Sequence, residues 1–533
     1  SISKTFIAMA LVQLAEDGEL DLDEPVVAIA PQVDIDNPWD STDPVRVIHL
    51  LQHTAGFDDM HFNEAYNLVD PPDLPLEEVL NINPRSRIVR WKPGTRMAYA
   101  NPGYAVAAFV LEQATGQKYE DVIQQKIFDP VGMTASSFVL AKADESRLAN
   151  GYAQRGGPPV PYTQIYLRPA GNLQTTAADL GKFVHLLLNW GETPEQLVVD
   201  PEYLSNMEHP RTTLASRAGL LNGYGSAIAS TLEEPFALLG HGGGIEGFMS
   251  SYAYSPARDV GFVVLLNATY SSAAMERISS LAINYLKADV GPPEKPTVIL
   301  SAGTLGQYAG YYHDAAPRLQ AAAFIQWLMS GRTISVDGDA LLVTPVFGER
   351  SRLIPVADTL FRRETEVDAT HVFTTDEQGA MVLTGAFYAE RIPRWRVDLV
   401  RWPVLVSCGL LLTPIVVAIL WLAFIRRATP HGFWWLKGSL VLCMVALLLP
   451  VAGMALVPGT QRGVINVWTA AICLGTIILP VGAALAVFFT IDAWINEAGR
   501  SLRAYAAVVS VAAVIVTAYL VSWGVIGFRP WNF

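Results

Sequence analysis

Apolar positions in the first 17 residues recur with a helical period (Ile2, Phe6, Ile7, Ala10, Leu11, Leu14), and Asp17-Gly18 supplies a stop. The segment is apolar nearly all round, the pattern of a helix buried inside a core. Asp43-Pro44 opens a second expected helix through Leu51, broken at Ala55-Gly56. A third begins near Tyr104 and ends at Thr115-Gly116, and a fourth covers Ala177–Leu188. Two apolar or alternating runs, 247–255 and 260–267, flank Pro256-Ala257-Arg258-Asp259 and predict an antiparallel hairpin. A helix over Ser272–Lys287 closes a unit spanning 1–288. Its class is α+β, with helices packed on an antiparallel sheet.

Residues 289–298, with Gly291-Pro292-Pro293 and Pro296, read as a linker. Beyond it, 299–395 form a small β-rich accessory domain, with strands expected at 334–336, 341–345, 353–356, 372–375 and 381–384. Nothing in it looks catalytic. From 401 to 533 the chain is a transmembrane region with apolar spans at 402–425, 434–457, 466–489 and 504–527. Each is long enough to cross about 30 Å of hydrocarbon at about 1.5 Å per residue. Trp402, Trp434, Trp435, Trp494 and Trp523 sit near the span ends, where an aromatic belt places them. Four consecutive spans almost free of charge are hard to reconcile with buried helices of a soluble protein.

Composition sharpens this division. Of 37 Lys/Arg and 50 Asp/Glu, eight and two lie in 401–533, so that region carries +6 and the first 400 residues −19. An acidic globular part excludes nucleic acid as a partner, because phosphate binding needs a basic surface. The length of 533 residues fits two or three folded units. Cys408, Cys443 and Cys473 all fall in the apolar tail, so the rest has no disulfide and no thiolate metal site. The chain opens on Ser-Ile-Ser-Lys without an initiator Met, which reads as a processed or truncated N-terminus. The positive-inside rule leaves orientation open: Arg391, Arg394, Arg396, Arg401, Arg462 and Arg529 face one side, Arg426, Arg427, Lys437, Arg500 and Arg503 the other.

Three short motifs carry candidate chemistry. Ser1-Ile2-Ser3-Lys4 is an S-x-x-K whose spacing puts a hydroxyl and an amine on one helix face. A serine hydroxyl needs a base beside it, and Lys4 serves if an apolar setting lowers its pKa. Alternatively, Ser1 is an N-terminal nucleophile using its own amine. Tyr99-Ala100-Asn101 places a Y-x-N on a turn before a helix, where the phenol can relay a proton and the amide can hold substrate or the lysine. The alternative is a loop tyrosine with Asn101 capping the next helix. His241-Gly242-Gly243-Gly244 precedes the hairpin, and its glycines let a substrate lie against a strand edge with a backbone N–H facing an oxyanion. Gly242 to Gly247 also fits G-x-G-x-x-G, but a dinucleotide site needs a helix there and 248–255 reads as strand.

In this order, S-x-x-K, Y-x-N and H-x-G resemble the serine β-lactamase-like superfamily of class C β-lactamases, D-Ala-D-Ala carboxypeptidases and esterases. Three flanking segments are similar as well: Leu50-Leu51-Gln52-His53-Thr54-Ala55-Gly56, Ile127-Phe128-Asp129-Pro130-Val131-Gly132-Met133 and Pro169-Ala170-Gly171-Asn172-Leu173. They are taken as scaffold, and His53 as structural. The resemblance covers 1 to about 288 and implies a β-lactamase/penicillin-binding-protein-like fold missing its N-terminal elements. It implies catalysis by Ser1, Lys4 and Tyr99, substrate contacts from Asn101, His241 and Gly243, and an oxyanion hole from the Ser1 and Gly244 N–H groups. His241 stands where the true β-lactamases have the lysine of K-T-G, which favours esterase, D-aminopeptidase or D,D-peptidase chemistry over β-lactam hydrolysis.

The resulting expectation is a multi-pass membrane protein with its hydrolase domain outside the cytoplasm, in the periplasm. It would act without cofactor or metal on small-molecule or peptide substrates, amphipathic ones included, beside a lipid bilayer. Oligomeric state stays open. The alternatives are a true β-lactamase, an acylatable membrane sensor without efficient turnover, and an inactive hydrolase used as a binding module.

Overall fold

The computed structural model describes residues 1–139, 147–232, 235–291, 293–420 and 433–533. Pro292 of the linker, 421–425 of the first expected span, Arg426 and Arg427 lie outside the described residues. The described chain divides into two compact units, Ser1–Gln320 with Ser330–Ile392, and Ala321–Met329 with Pro393–Phe533.

The opening helix, Ser3–Glu16, buries every residue from Ser3 to Leu14. Phe6 meets Phe128 edge-on at 5.4 Å and Phe183 at 4.4 Å, geometry aromatic rings favour beyond their area burial. Around it pack the helices Asn101–Thr115 and Pro201–Glu208. The second expected helix is shorter than its Asp43-Pro44 start suggested, forming only over Val47–Leu51. The third starts earlier, at Asn101, because Pro102 fits a first turn whose N–H needs no partner. Helices Ala177–Leu188 and Ser272–Lys287 form where expected.

The sheet is antiparallel in sequential order: β1 (Ala229–Thr231), β2 (Leu238–Ile245), β3 (Phe248–Ser255) and β4 (Val260–Leu266). The expected hairpin is β3–β4, closed by Pro256–Arg258 and by Asp259 at φ 53°. Gly240 belongs to β2, and a Cβ there would stand 2.2 Å from Tyr252 O across the ladder.

The accessory region closes into an eight-stranded antiparallel barrel in which each strand pairs with its sequence neighbours and the last with the first. Its strands are β5 (Gly310–Asp314), β6 (Arg332–Asp337), β7 (Ala340–Pro345), β8 (Ser351–Pro355), β9 (Leu360–Arg363), β10 (His371–Thr375), β11 (Met381–Thr384) and β12 (Tyr388–Arg391). Strands β5, β9 and β12 gave no alternating signal because their apolar and polar residues run in blocks along the sequence, and Glu390 of β12 meets Arg96 (3.1 Å). This is the β-rich domain expected; two short helices, Ala302–Tyr308 and Ala323–Met329, also fall within its bounds, the latter grouped with the second unit.

In the second unit, four helices are long and apolar enough to cross a membrane: Arg394–Val416, Trp434–Leu456, Val467–Ile495 and Arg500–Ser522. Small residues let the middle two approach closely. A Cβ on Gly475 would lie 2.5 Å from Pro450 Cδ and one on Gly453 2.6 Å from Ile472 Cγ1.

Candidate active site

The S-x-x-K turn places Ser1 just ahead of the buried helix, with Lys4 N bonded to Ser1 O at 3.0 Å. The Lys4 side chain, without exposed surface, turns back so that Nζ lies 3.2 Å from Ser1 Oγ. It also donates to Asn101 Oδ1 and to Ala170 O, each at 2.7 Å. An ammonium satisfies all three acceptors. After losing one proton it keeps an N–H for Asn101 and one for Ala170, and its lone pair faces the Ser1 hydroxyl. Burial pulls this amine down to about 7; Asp59 opposes that shift and Arg318 adds to it. Ser3, the other hydroxyl of the motif, is buried and accepts from Leu173 N at 3.0 Å.

Tyr99 Oη donates to Ser1 Oγ at 2.9 Å. Burial raises this phenol above its ordinary value, so near pH 7 it carries its proton. Lys4 is therefore a group able to accept a proton from Ser1, as is the Ser1 α-amine, which burial also lowers, and Tyr99 is a group able to give one. His53 fixes the tyrosine in place. Its carbonyl accepts from Ala98 N (2.9 Å), its Nδ1 accepts from Ala100 N (3.1 Å), and its ring lies 4.1 Å from the Tyr99 ring. It does so at φ 55°, a left-handed conformation that a non-glycine residue holds only when its surroundings impose it.

Asn101 is occupied at both ends. Its Oδ1 receives Lys4, while its backbone N and Nδ2 donate to Asp59 Oδ1 at 2.9 and 2.7 Å. As placed, its Oδ1 holds the lysine amine. Asp59 Oδ2 in turn accepts from Arg318 Nε at 2.6 Å.

His241 is buried, and both ring nitrogens are engaged. Nδ1 donates to Gly242 O at 2.5 Å, so Nε2 accepts from Tyr224 Oη at 2.9 Å. Burial, then the nearby Lys4, lowers its pKa to about 3, leaving a neutral ring. Its neighbour two residues on, Gly243, lies close against the nucleophile segment: a Cβ there would sit 2.5 Å from the rotatable Ser250 Oγ and 3.3 Å from Ser1 N. Gly244 and Ser1 line a common cleft of about 480 Å³ whose wall includes Leu173, Ile245, Phe248, Leu265 and Leu266. The G-x-G-x-x-G match falls on the end of β2 and the two-residue turn that leads into β3, with no helix.

Sequence reasoning brought Ser1, Lys4, Tyr99, Asn101, His241, Gly243 and Gly244 forward, and the fold gathers all seven. It passed over Asp59, Ala170 and Arg318. Ala170 lies in a flank taken as scaffold, and Asp59 lies three residues past another. Arg318 lies in the accessory region, where sequence distance hid its contact with Asp59. Among the described residues, no cluster of three or more His, Cys, Asp or Glu is arranged to hold a metal ion.

The model of the family described as Beta-lactamase matches residues 1–284. Protein flp of Staphylococcus aureus (strain N315) is 25% identical over 300 residues, covering 54% of this chain and 56% of its own length, so the chain spans about half of that curated relative. The octameric penicillin-binding protein homologue from Pyrococcus abyssi is 22% identical, with a TM-score of 0.44 over 73% of this chain and 87% of its own. The D-amino acid amidase from Ochrobactrum anthropi SV3 is 22% identical, with a TM-score of 0.43 over 54% and 83%.

Because Lys4 has to be neutral to take the Ser1 proton, acylation of the full chain should rise with pH through an apparent pKa near 7 and then level off. Stopped-flow acylation by an activated ester between pH 5 and 9 measures this. A rate flat across that range would show that Lys4 is not the base.

Proposed function

The chain belongs to the Beta-lactamase family, and from that premise we propose that it is a membrane-anchored serine hydrolase working through an acyl-enzyme on Ser1. One observation carries the reading: an amine lowered toward neutrality and a protonated phenol converge on the same hydroxyl, Ser1 Oγ, at 3.2 and 2.9 Å. Lys4 takes the Ser1 proton as Oγ attacks an ester or amide carbonyl. The carbonyl oxygen, now negative, is held by the N–H groups of Ser1 and Gly244, the kind of donor pair whose loss typically slows a reaction about 10²–10³-fold per donor. On collapse the carbonyl–leaving-group bond breaks, Tyr99 gives its proton to the departing alcohol or amine, and Lys4 returns a proton to Tyr99. Water then repeats the sequence on the acyl-enzyme.

The cleft beside Ser1 and Gly244 has a mixed wall, with Leu173, Ile245, Phe248, Leu265 and Leu266 beside Arg147, Gln174, Thr175 and Asn267, and suits an acyl group that carries polar atoms as well as apolar ones. The neutral His241, with both nitrogens in use, offers no cation to a β-lactam carboxylate. Short acyl esters or D-aminoacyl amides should therefore show a higher kcat/KM than a β-lactam on one preparation of the full chain, with every activity lost in Ser1→Ala. Fastest turnover of the β-lactam would overturn this assignment of His241.

An even number of spanning helices keeps both ends of the bundle on one face of the membrane, and we place residues 1–400 outside the cytoplasm. A membrane-impermeant label applied to intact cells should reach them. Protection until lysis would reverse the orientation.

A further inference from the structure

The barrel meets the catalytic centre through segment 314–320, which follows β5. Its main chain is tied at four points. Asp59 N donates to Arg318 O (3.2 Å), Arg90 to Pro317 O (2.7 Å) and Arg96 to Ala315 O (3.1 Å), while Gln320 N donates to the Asp58 carboxylate (2.9 Å). This anchoring delivers the Arg318 side chain to the site, with Nε 2.6 Å from Asp59 Oδ2 and the guanidinium 4.6 Å from the centre of the Tyr99 ring. Hydrogen bonds then run unbroken from Arg318 to Asp59, to Asn101 (2.7 Å), to Lys4 (2.7 Å) and to Ser1 (3.2 Å).

Building on the reading of Lys4 as the base, we propose that Arg318 is a positioning residue of the hydrolase centre, so that the barrel supplies a working part of the active site. By holding Asp59 it holds Asn101, and through Asn101 the Lys4 amine beside Ser1. The charge balance points the same way. Ser1, Tyr99, Asn101, Tyr104, His53, His241, Asp59 and Arg318 surround Lys4. The tyrosines stay protonated, and burial holds both histidines and the Ser1 α-amine neutral, leaving Asp59 and Arg318 as the charged pair. Asp59 is nearly buried, its side chain 9% exposed; without Arg318 its full charge acts on the amine and favours the ammonium, which cannot serve as base.

The test uses the full chain and a p-nitrophenyl ester, with kcat/KM followed from pH 5 to 9. Arg318→Ala should move the acidic limb up by about one unit and slow the reaction about fivefold at pH 7, with recovery at high pH. Arg318→Lys should restore part of the difference. Asp59→Asn combined with Arg318→Ala should bring the limb back toward its original position, since both charges are then gone. An unmoved limb in Arg318→Ala, with or without a uniform loss at every pH, would overturn the positioning role. Ser1→Ala in the same series separates the two claims: if it hydrolyses the ester at the parent rate, the hydrolase reading itself fails.

Discussion

A lysine amine sealed from solvent is the constraint around which the catalytic unit is arranged. Burying an unpaired ammonium is strongly unfavourable, while a carboxylate in direct contact would hold it charged. At an effective dielectric of about 20, a pair about 4 Å apart gains about 4 kcal/mol, roughly three pKa units. The fold avoids both extremes. It gives Lys4 two neutral acceptors, Asn101 Oδ1 and Ala170 O, and sets Asp59 behind Asn101. The amide transmits the geometry of the carboxylate but dilutes its charge. The outcome is an amine near 7 facing a serine, with a phenol kept protonated on the other side.

Other features follow from keeping that amine in place. The opening helix is apolar nearly all round because it has to be enclosed on every side, and its enclosure is what desolvates Lys4. Strand β2 runs against Ser1 without side chains at Gly242, Gly243 and Gly244, leaving room for a substrate beside the nucleophile. His53 accepts from Ala100 N of the Tyr99 segment through Nδ1, and His241 uses one ring nitrogen on Gly242 O and the other on Tyr224. Two of the imidazoles nearest the site thus act as neutral packing rather than as acids or bases.

Much of this was legible in the sequence where the signal is local. Helix period gave the opening helix, alternation gave β3 and β4, and spacing gave Ser1 with Lys4 and Tyr99 with Asn101. What stayed hidden depends on contacts distant in sequence. Asp59 is one of two adjacent acids, and only the fold distinguishes them: Asp58 pairs with Arg90 and His61, whereas Asp59 faces the N-terminus of the helix that carries Asn101. Arg318 lies in a loop with no motif of its own, 259 residues from its partner. Strands β5, β9 and β12 were missed because they are short and their apolar and polar residues run in blocks, as in Leu360-Phe361-Arg362-Arg363 and Tyr388-Ala389-Glu390-Arg391, with no two-residue period to mark a strand.

The account stands or falls on Ser1 being the atom that becomes acylated. Incubating the full chain with a fluorophosphonate, then mapping the adduct by peptide mass spectrometry, tests it most directly. It predicts a single adduct on Ser1, absent from Ser1→Ala and greatly slowed in Lys4→Met. An adduct on Ser3, or labelling of Ser1→Ala equal to the parent chain, would contradict it.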